Sequence, residues 1–303
     1  MYTGPIIDAY MHPGWTAKTE GTIGARKEWD DDPRRARVMR TFQQSGDKPR
    51  TPEATVEDTI STMRSTGVAH GVFVASLYYP SPRSELDHAV VEHFDIMGKY
   101  PGMFAHIGTV LPPQQGPNTY WDLLENPRIL AEHKEKYGIQ GVHITPSPWG
   151  TPPNNRWFYP LYAKCVELNL TVFSYVGLPG PLWPAEPNNP AHLDDVCLAF
   201  PELKVVAHHI GDPWVDLMTK LAAKHANLYI CTSAWSPKRY PDALLKFMRG
   251  RWHGQAGAKK VIFGTDHPFL NQEKVVKDVR ELDLPDDVLQ SFLFDNAASL
   301  FKF

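Results

Sequence analysis

The sequence predicts a single α/β domain over residues 1–303, built as a (β/α)₈ TIM barrel. Eight short apolar segments rich in β-branched residues recur along the 303-residue chain, and helical patterns lie between most of them. Continuous apolar runs are typical of parallel strands buried on both faces. No glycine-rich dinucleotide-binding motif follows the first segment, so the repeated strand–helix pattern favours a barrel over a doubly wound sheet.

The predicted strands and helices follow one another in this order. The first helix, 55–67, begins with a capping-box pattern of Thr55 and Asp58 and ends at Gly67. The other helices are predicted from apolar residues at helical spacing, and they cover 84–100, 155–169, 190–200, 212–225, 241–252 and 271–282. The eight strands are predicted at 4–10, 70–76, 103–110, 139–145, 170–176, 203–209, 227–233 and 260–266.

Many of the 28 prolines fall directly after predicted strands. Proline fixes the backbone angle φ and stiffens connections that lack regular hydrogen bonds. In a barrel, the loops after the strands form the active-site face. The segment at about 11–54 is much longer than an ordinary connection and is rich in charged residues, which predicts a lid-like or partner-contact insertion.

The composition excludes several classes of protein. The 31 Lys and Arg residues against 34 Asp and Glu give a net charge of −3, which argues against a nucleic-acid partner. No apolar run is long enough to cross a membrane, and the N-terminal residues do not resemble a secretion signal. The three cysteines lie far apart and predict neither a disulfide framework nor a thiolate metal cluster. We therefore expect a cytoplasmic protein that acts on a small molecule.

Polar residues at the ends of the predicted strands are the candidates for chemistry. Side chains alternate along a strand, so Asp8, Tyr10 and His12 are expected on one face of the first strand. The same alternation predicts that His208 points away from His209 and serves packing. The remaining candidates at strand ends are His143, Tyr175, His209 and Asp266.

Four residues are candidates for contact with a substrate. Tyr175 ends the fifth strand and His267 follows Asp266 directly. Trp149 and Trp183 follow strands and either line an apolar pocket or pack within their loops.

The chain resembles the amidohydrolase superfamily, in its ACMSD-like branch of metal-dependent decarboxylases and hydrolases. The resemblance runs nearly from end to end. The motifs that carry it are IIDAYMH at strand 1, GTVLPPQ after strand 3, VFSYVG at strand 5, VVAHHIGDP at strand 6, GTDHP at strand 8 and the terminal FLFDNAASLF.

The site departs from the family pattern at two positions. The family has His-x-His at strand 1, where this chain has Tyr10 and His12, and a histidine at strand 5, where it has Tyr175. The family's strand-6 histidine and strand-8 aspartate correspond to His209 and Asp266. His143 stands at strand 4, where dinuclear relatives place a bridging ligand. The resemblance thus implies one or two transition-metal ions (Fe, Mn or Zn) held by His12, His143, His209 and Asp266, with Tyr10, or alternatively Tyr175, as a further ligand.

The resemblance implies metal-dependent hydrolysis, or C–C bond cleavage, of a small carboxylated or aromatic substrate. Asp266 would bind metal and carry a proton, while His209 would ligate or orient. Three alternatives stay open: an oxygen-dependent reaction at a dinuclear iron or manganese site, metal-free chemistry with Asp266 as the base, and a catalytically silent subunit. The expected assembly is a homo-oligomer or a hetero-oligomer with a paralogous barrel.

Overall fold

The computed structural model describes residues 2–14, 54–76, 82–113, 122–180 and 183–303. Within them, eight parallel strands form one sheet in the order β1-β2-β3-β4-β5-β6-β7-β10. The strands β8 and β9 form a separate antiparallel hairpin. The strand bounds are β1 Ile6–Met11, β2 Val68–Val74, β3 Phe104–Thr109, β4 Gly141–Ile144, β5 Thr171–Tyr175, β6 Val205–His208, β7 Leu228–Cys231, β8 Arg251–Trp252, β9 Gln255–Ala256 and β10 Val261–Ile262.

The last strand returns to the first and nearly closes the barrel. The Ala9 amide donates to the Phe263 carbonyl at 2.8 Å, and the Asp266 amide donates to the Tyr10 carbonyl at 2.9 Å. The predicted TIM barrel is confirmed, and each of the eight predicted strands overlaps an observed one.

Helices cover the outer face of the sheet, and none in the described part of the chain is long and apolar enough to cross a membrane. Their bounds are α1 Val56–Thr66, α2 Arg83–Lys99, α3 Glu125–Tyr137, α4 Pro146–Trp149, α5 Tyr159–Glu167, α6 His192–Ala199, α7 Val215–Lys224, α8 Asp242–Arg249, α9 Gln272–Arg280, α10 Asp286–Gln290 and α11 Asn296–Ala298. A π-helical turn at Ser291–Asp295 links the last two.

All seven predicted helices are present, but the sequence missed α3 and the three short helices α4, α10 and α11. The buried side of α3 includes Asn126, Pro127 and His133, with only Ile129 and Leu130 as aliphatic residues, so its apolar periodicity is weak. The predicted helix at 241–252 ends at Arg249, because Gly250 leads into the hairpin of β8 and β9. The predicted insertion at about 11–54 lies outside the described residues except at its two ends.

Alternation along the strands separates two layers of buried side chains. Val72, Ile107, Phe173 and Val206 belong to the cluster inside the barrel, where Phe301 from the C-terminal segment packs against Phe173. Their neighbours along each strand face outward to the helices. Two residues beyond Phe173 and Val206, the same alternation aims Tyr175 and His208 at the interior near the carboxyl end of the barrel.

The predicted capping box of α1 is present. The Asp58 amide donates to the Thr55 hydroxyl at 3.1 Å, and the Thr55 amide donates to the Asp58 carboxylate at 3.0 Å. We expect Thr55→Ala to lower the free energy of unfolding by about 1 kcal/mol, measured by urea denaturation, because orphan amides at the helix start lose their acceptors. Thr55→Ser keeps the hydroxyl and should stay near the wild type, and equal losses in both variants would contradict this role.

Candidate functional site

Two donor atoms meet where the first and last strands of the barrel join. His12 follows β1, Asp266 follows β10, and the His12 amide donates to the His267 carbonyl at 2.7 Å. The His12 Nε2 atom lies 3.4 Å from the Asp266 Oδ1 atom, and these side chains are 12% and 11% exposed. Two ligands of one transition metal stand roughly 3 to 3.4 Å apart, since each bond is about 2.1 Å long. This distance is therefore compatible with an ion pair between the two side chains and with both of them binding one metal ion.

His209 is aimed at the same region by an unusual backbone conformation. Its φ is 71°, that of Ile210 is 54° and that of Asp266 is 62°, all in the left-handed region. Non-glycine residues there cost about 1–3 kcal/mol each and are concentrated at functional sites. Both predicted catalytic residues, His209 and Asp266, are thus held in strained turns at strand ends.

The hydrogen bonds of His209 fix which ring nitrogen is free. Its Nδ1 atom lies 3.0 Å from the Ser233 carbonyl and 3.1 Å from the Ser233 hydroxyl. A carbonyl only accepts, so Nδ1 carries the proton and Nε2 carries the lone pair. Burial lowers the pKa of His209, and His12 lowers it further, while Asp266 raises it. A neutral ring with a free Nε2 is the form that binds a metal.

A second pair of histidines lies deeper in the barrel. The Nε2 atoms of His143 and His208 are 2.9 Å apart, and the Ser76 hydroxyl lies 3.1 Å from His143 Nδ1. Both histidines are completely buried. Burial lowers the pKa of His143 to about 3 and that of His208 well below its ordinary value. Both rings are then neutral, and in the hydrogen bond between them one Nε2 atom donates and the other accepts.

The two tyrosines at family histidine positions occupy different environments. Tyr10 is 1% exposed. It stacks on His208 with ring centres 4.6 Å apart, and its hydroxyl lies 3.5 Å from His143 Nε2. The Tyr175 hydroxyl accepts the Gly180 amide at 3.1 Å, and burial raises the pKa of Tyr175 to about 12. Tyr175 is therefore protonated at neutral pH and can donate its proton, whereas Tyr10 belongs to the deeper pair.

The predicted substrate-contact residues differ in accessibility. His267 is completely buried, and its Nε2 atom lies 3.0 Å from the Thr59 hydroxyl on α1. Trp149 ends α4, is buried, and packs on Phe158 with ring centres 6.1 Å apart. Trp183 is half-buried. Contact of these three residues with a substrate stays a prediction.

The five predicted ligands, together with His208, divide into two groups. We call His12, His209 and Asp266 the outer group, and Tyr10, His143 and His208 the inner group. In the described ranges, no three His, Cys, Asp or Glu side chains already enclose a point at metal-binding distance. The donors of the outer group nevertheless have the chemistry of a divalent transition-metal site, which takes neutral imidazole and carboxylate ligands. Their assignment as ligands stays a prediction.

The structure brings together several polar side chains that the sequence did not select. His208 was expected to point away from His209, which is wrong: both rings contact Tyr175, with centres 5.1 and 4.5 Å away. The positive φ of His209 breaks the strand alternation. Counting inward positions from Val206 would have placed His208 inside. Ser76 and Ser233 carried no sequence signal.

Asp8 does not share the mouth-facing side with Tyr10 and His12, contrary to expectation. The pairing of β1 with β2 shifts register between Asp8 and Met11. The Asp8 side chain therefore turns toward Thr265 and Gln272, to which it is hydrogen-bonded.

Buried histidines make the fold sensitive to acid. Burial lowers the pKa of His106 to about 4, against about 6.5 in the unfolded chain. Below pH 6.5 the unfolded chain binds a proton that the folded one does not, so stability falls as the pH drops toward 4. Burial raises the pKa of Asp8 to about 6. Protonation of this carboxyl therefore favours the folded state as the pH falls, which opposes the effect of the histidines. We expect the several histidines to dominate.

We expect the wild type to lose roughly 1.5 kcal/mol more than His106→Gln between pH 6.5 and pH 5. The glutamine amide can still donate to the Tyr137 carbonyl, which His106 Nε2 contacts at 2.9 Å. Urea denaturation at the two pH values measures the difference. Equal pH dependence in both proteins would show that His106 is not buried in the neutral form.

The comparisons with known proteins agree with the barrel. Residues 7–303 match the sequence model of the amidohydrolase family. No curated protein matches the sequence at a significant level.

Solved structures with the same fold include three with nearly full coverage. An uncharacterised TIM-barrel protein from Bordetella bronchiseptica is 22% identical, with a TM-score of 0.76 and 98% of both chains covered. The 5-carboxyvanillate decarboxylase of Novosphingobium aromaticivorans, complexed with manganese and 4-hydroxy-3-methoxy-5-nitrobenzoic acid, is 16% identical (TM-score 0.70; 99% of this chain and 97% of that one). A probable 2-pyrone-4,6-dicarboxylic acid hydrolase from Acinetobacter baumannii, with citric acid bound, is 17% identical (TM-score 0.62; 98% and 99%).

These structures show the shared fold, and the match over residues 7–303 shows the family. The resemblance inferred from the sequence motifs is therefore confirmed. The chain belongs to the amidohydrolase family.

Proposed function

We propose that this chain is a metal-dependent enzyme that decarboxylates or hydrolyses a small carboxylated ring substrate. The observation that carries the proposal is the outer group. His12 Nε2 and Asp266 Oδ1 lie 3.4 Å apart at the carboxyl end of the barrel, and the rings of His12 and His209 both pack against Tyr10, with centres 5.8 and 5.4 Å away.

The solved relatives support the substrate class. The N. aromaticivorans decarboxylase is named for a carboxylated aromatic substrate and is complexed with manganese and a nitrobenzoic acid. The A. baumannii hydrolase is named for a dicarboxylated ring. None of the comparisons supports the oxygen-dependent alternative.

The charge of the described residues at the carboxyl end of the barrel favours binding of a cation. Burial lowers the pKa of His209 near Asp266, and of His143 and His208 deeper in the barrel, which keeps these rings neutral at pH 7. The Asp266 carboxylate would then repel a carboxylated substrate. A divalent cation held by His12, His209 and Asp266 would reverse that charge, and it would polarise a substrate oxygen or activate water.

The side chains around the outer group can orient a substrate and handle a proton. The Tyr175 hydroxyl accepts one hydrogen bond from Gly180 and keeps its own proton, so it can donate to a substrate oxygen. Decarboxylation breaks the bond between ring and carboxyl carbon, releases CO₂ and leaves the electron pair on the ring carbon, which then needs a proton. Asp266, beside His12, is placed to hold that proton and deliver it.

Metal binding tests the proposal directly. We expect the purified chain, stripped with chelator, to bind Mn²⁺ or Zn²⁺ in calorimetric titration, and His12→Ala to lose at least tenfold in affinity. His88→Ala, an exposed histidine on α2, is the matched control and should bind as the wild type. A wild-type chain that binds neither cation would overturn the metal-dependent reaction.

Substrate screening then separates the two reactions. With the metal restored, we expect turnover within a panel of hydroxybenzoates and ring lactone dicarboxylates. Release of CO₂ identifies decarboxylation, and ring opening without CO₂ identifies hydrolysis. Turnover by this chain alone would exclude the silent-subunit alternative. The expected homo- or hetero-oligomer stays a prediction, which light scattering after size-exclusion chromatography tests.

A further inference from the structure

The Asp8 carboxylate is buried at the junction of the first and last strands and makes four hydrogen bonds. It accepts the Thr265 amide at 2.9 Å, the Thr265 hydroxyl at 2.5 Å, the Gln272 side-chain amide at 2.8 Å and the Tyr10 amide at 3.4 Å. Asp8 is 0% exposed. All four donors are neutral groups.

Burial of a carboxylate against neutral donors is costly. Transfer of an ionised group out of water costs several kcal/mol, which hydrogen bonds offset only in part. An apolar residue or an amide would fill this place at lower cost, so the position and charge of the carboxylate call for a reason beyond packing.

The bonds of Asp8 converge on the turn that carries Asp266. Thr265 immediately precedes Asp266, and its hydroxyl also accepts the His267 amide at 3.0 Å. Gln272 is the first residue of α9. Asp8 therefore fixes both ends of the segment 266–271, inside which Asp266 has a φ of 62°. Thr265 and Gln272 keep this carboxylate directed at the turn and not at the mouth.

We propose that Asp8 is a positioning residue that holds the Thr265–Asp266 turn in its left-handed conformation. In this arrangement the Asp266 carboxylate stands 3.4 Å from His12 Nε2. The inference rests on the proposed function to the extent that Asp266 and His12 are assigned to a cation. Groups that orient metal ligands in this way change metal affinity or activity 10–100-fold when they are mutated.

Thr265 offers a matched pair of variants that alters the network without changing Asp8 itself. Thr265→Val removes the hydroxyl with little change in shape, and Thr265→Ser retains it. We expect Thr265→Val to weaken Mn²⁺ binding 10–100-fold in calorimetric titration, and Thr265→Ser to stay within about threefold of the wild type. Thr219→Val, on α7, removes another buried threonine hydroxyl and controls for the loss of a hydrogen bond.

Hydrogen exchange on the metal-free protein gives a second measurement that does not depend on metal binding. We expect faster exchange confined to peptides covering 264–272 in Thr265→Val and Asp8→Asn, with Thr265→Ser and Thr219→Val unchanged there. Unchanged exchange, or faster exchange spread over the whole barrel, would overturn the positioning role and leave a general structural one. If the wild type binds no Mn²⁺ or Zn²⁺, the proposed function fails, while the exchange result still decides the role of Asp8.

Discussion

Asp266→Asn should lower kcat by about 10²- to 10⁴-fold while leaving the fold almost as stable as before. The Asp266 carboxylate lies 3.4 Å from His12 Nε2 and is the charged member of the outer group. An amide can neither carry a proton in the same way nor supply the negative charge that a divalent cation requires. Asparagine is among the few residues that tolerate a positive φ, so the turn with its φ of 62° should persist.

The measurement compares kcat and KM for the substrate identified by the panel, together with Mn²⁺ affinity. We expect affinity and kcat to fall together, because one carboxylate serves both. Asp216→Asn, an exposed aspartate on α7, controls for the charge change. Activity within threefold of the wild type in Asp266→Asn would remove Asp266 from the chemistry and leave His209 as the remaining catalytic candidate.

The outer and inner groups give a physical account of the two tyrosines. Tyr175 borders the outer group as a protonated donor, since burial raises its pKa to about 12. Tyr10 fills space against the inner histidine pair, with a ring stacked on His208. In neither place does the structure require a phenolate. Tyr175 thus borders the outer group, and Tyr10 lies between the two groups, since its ring also packs edge-on against His12 and His209.

Most of the fold was predictable because parallel barrels repeat one local pattern. Strand segments such as 170–176 are continuously apolar, and the helix starting at Thr55 has a capping box that depends on local sequence alone. The missed helix α3 has too weak an apolar periodicity to be recognised from its sequence. Its buried side includes Asn126, whose side-chain amide donates to the Leu111 carbonyl at 2.9 Å, so tertiary contacts and not periodicity stabilise it.

The candidate site was predictable only where it lies at strand ends. His12, His209 and Asp266 were selected by that rule together with the family motifs, and the structure places them at one end of the barrel. The orientation of neighbouring side chains was not predictable, because it depends on a register shift at β1 and on the positive φ of His209. Each of these features interrupts the alternation of side chains between the two faces of a strand.

The largest effect on stability is expected from His208→Ala. This change removes the 2.9 Å partner of His143 Nε2 and the ring stacked on Tyr10 with centres 4.6 Å apart. A buried polar group without a partner costs about 1–3 kcal/mol, and the cavity adds to that cost. We therefore expect a loss of about 3 kcal/mol or more, seen as a fall in Tm of roughly 5 °C or more in thermal unfolding.

His208→Gln distinguishes the hydrogen bond from the packing of the ring. A glutamine amide can donate to His143 Nε2 as His208 can, but it lacks the ring that stacks on Tyr10. If the hydrogen bond dominates, His208→Gln should recover more than half of the lost stability, and His88→Ala on the surface of α2 should change Tm little. A fall of less than 2 °C in His208→Ala would mean that the inner pair contributes little to stability. His208 contacts Tyr10 and Tyr175 but is not assigned as a metal ligand. We therefore expect His208→Ala to weaken Mn²⁺ binding less than His12→Ala does. This comparison separates a residue that supports the site from a residue that binds the metal.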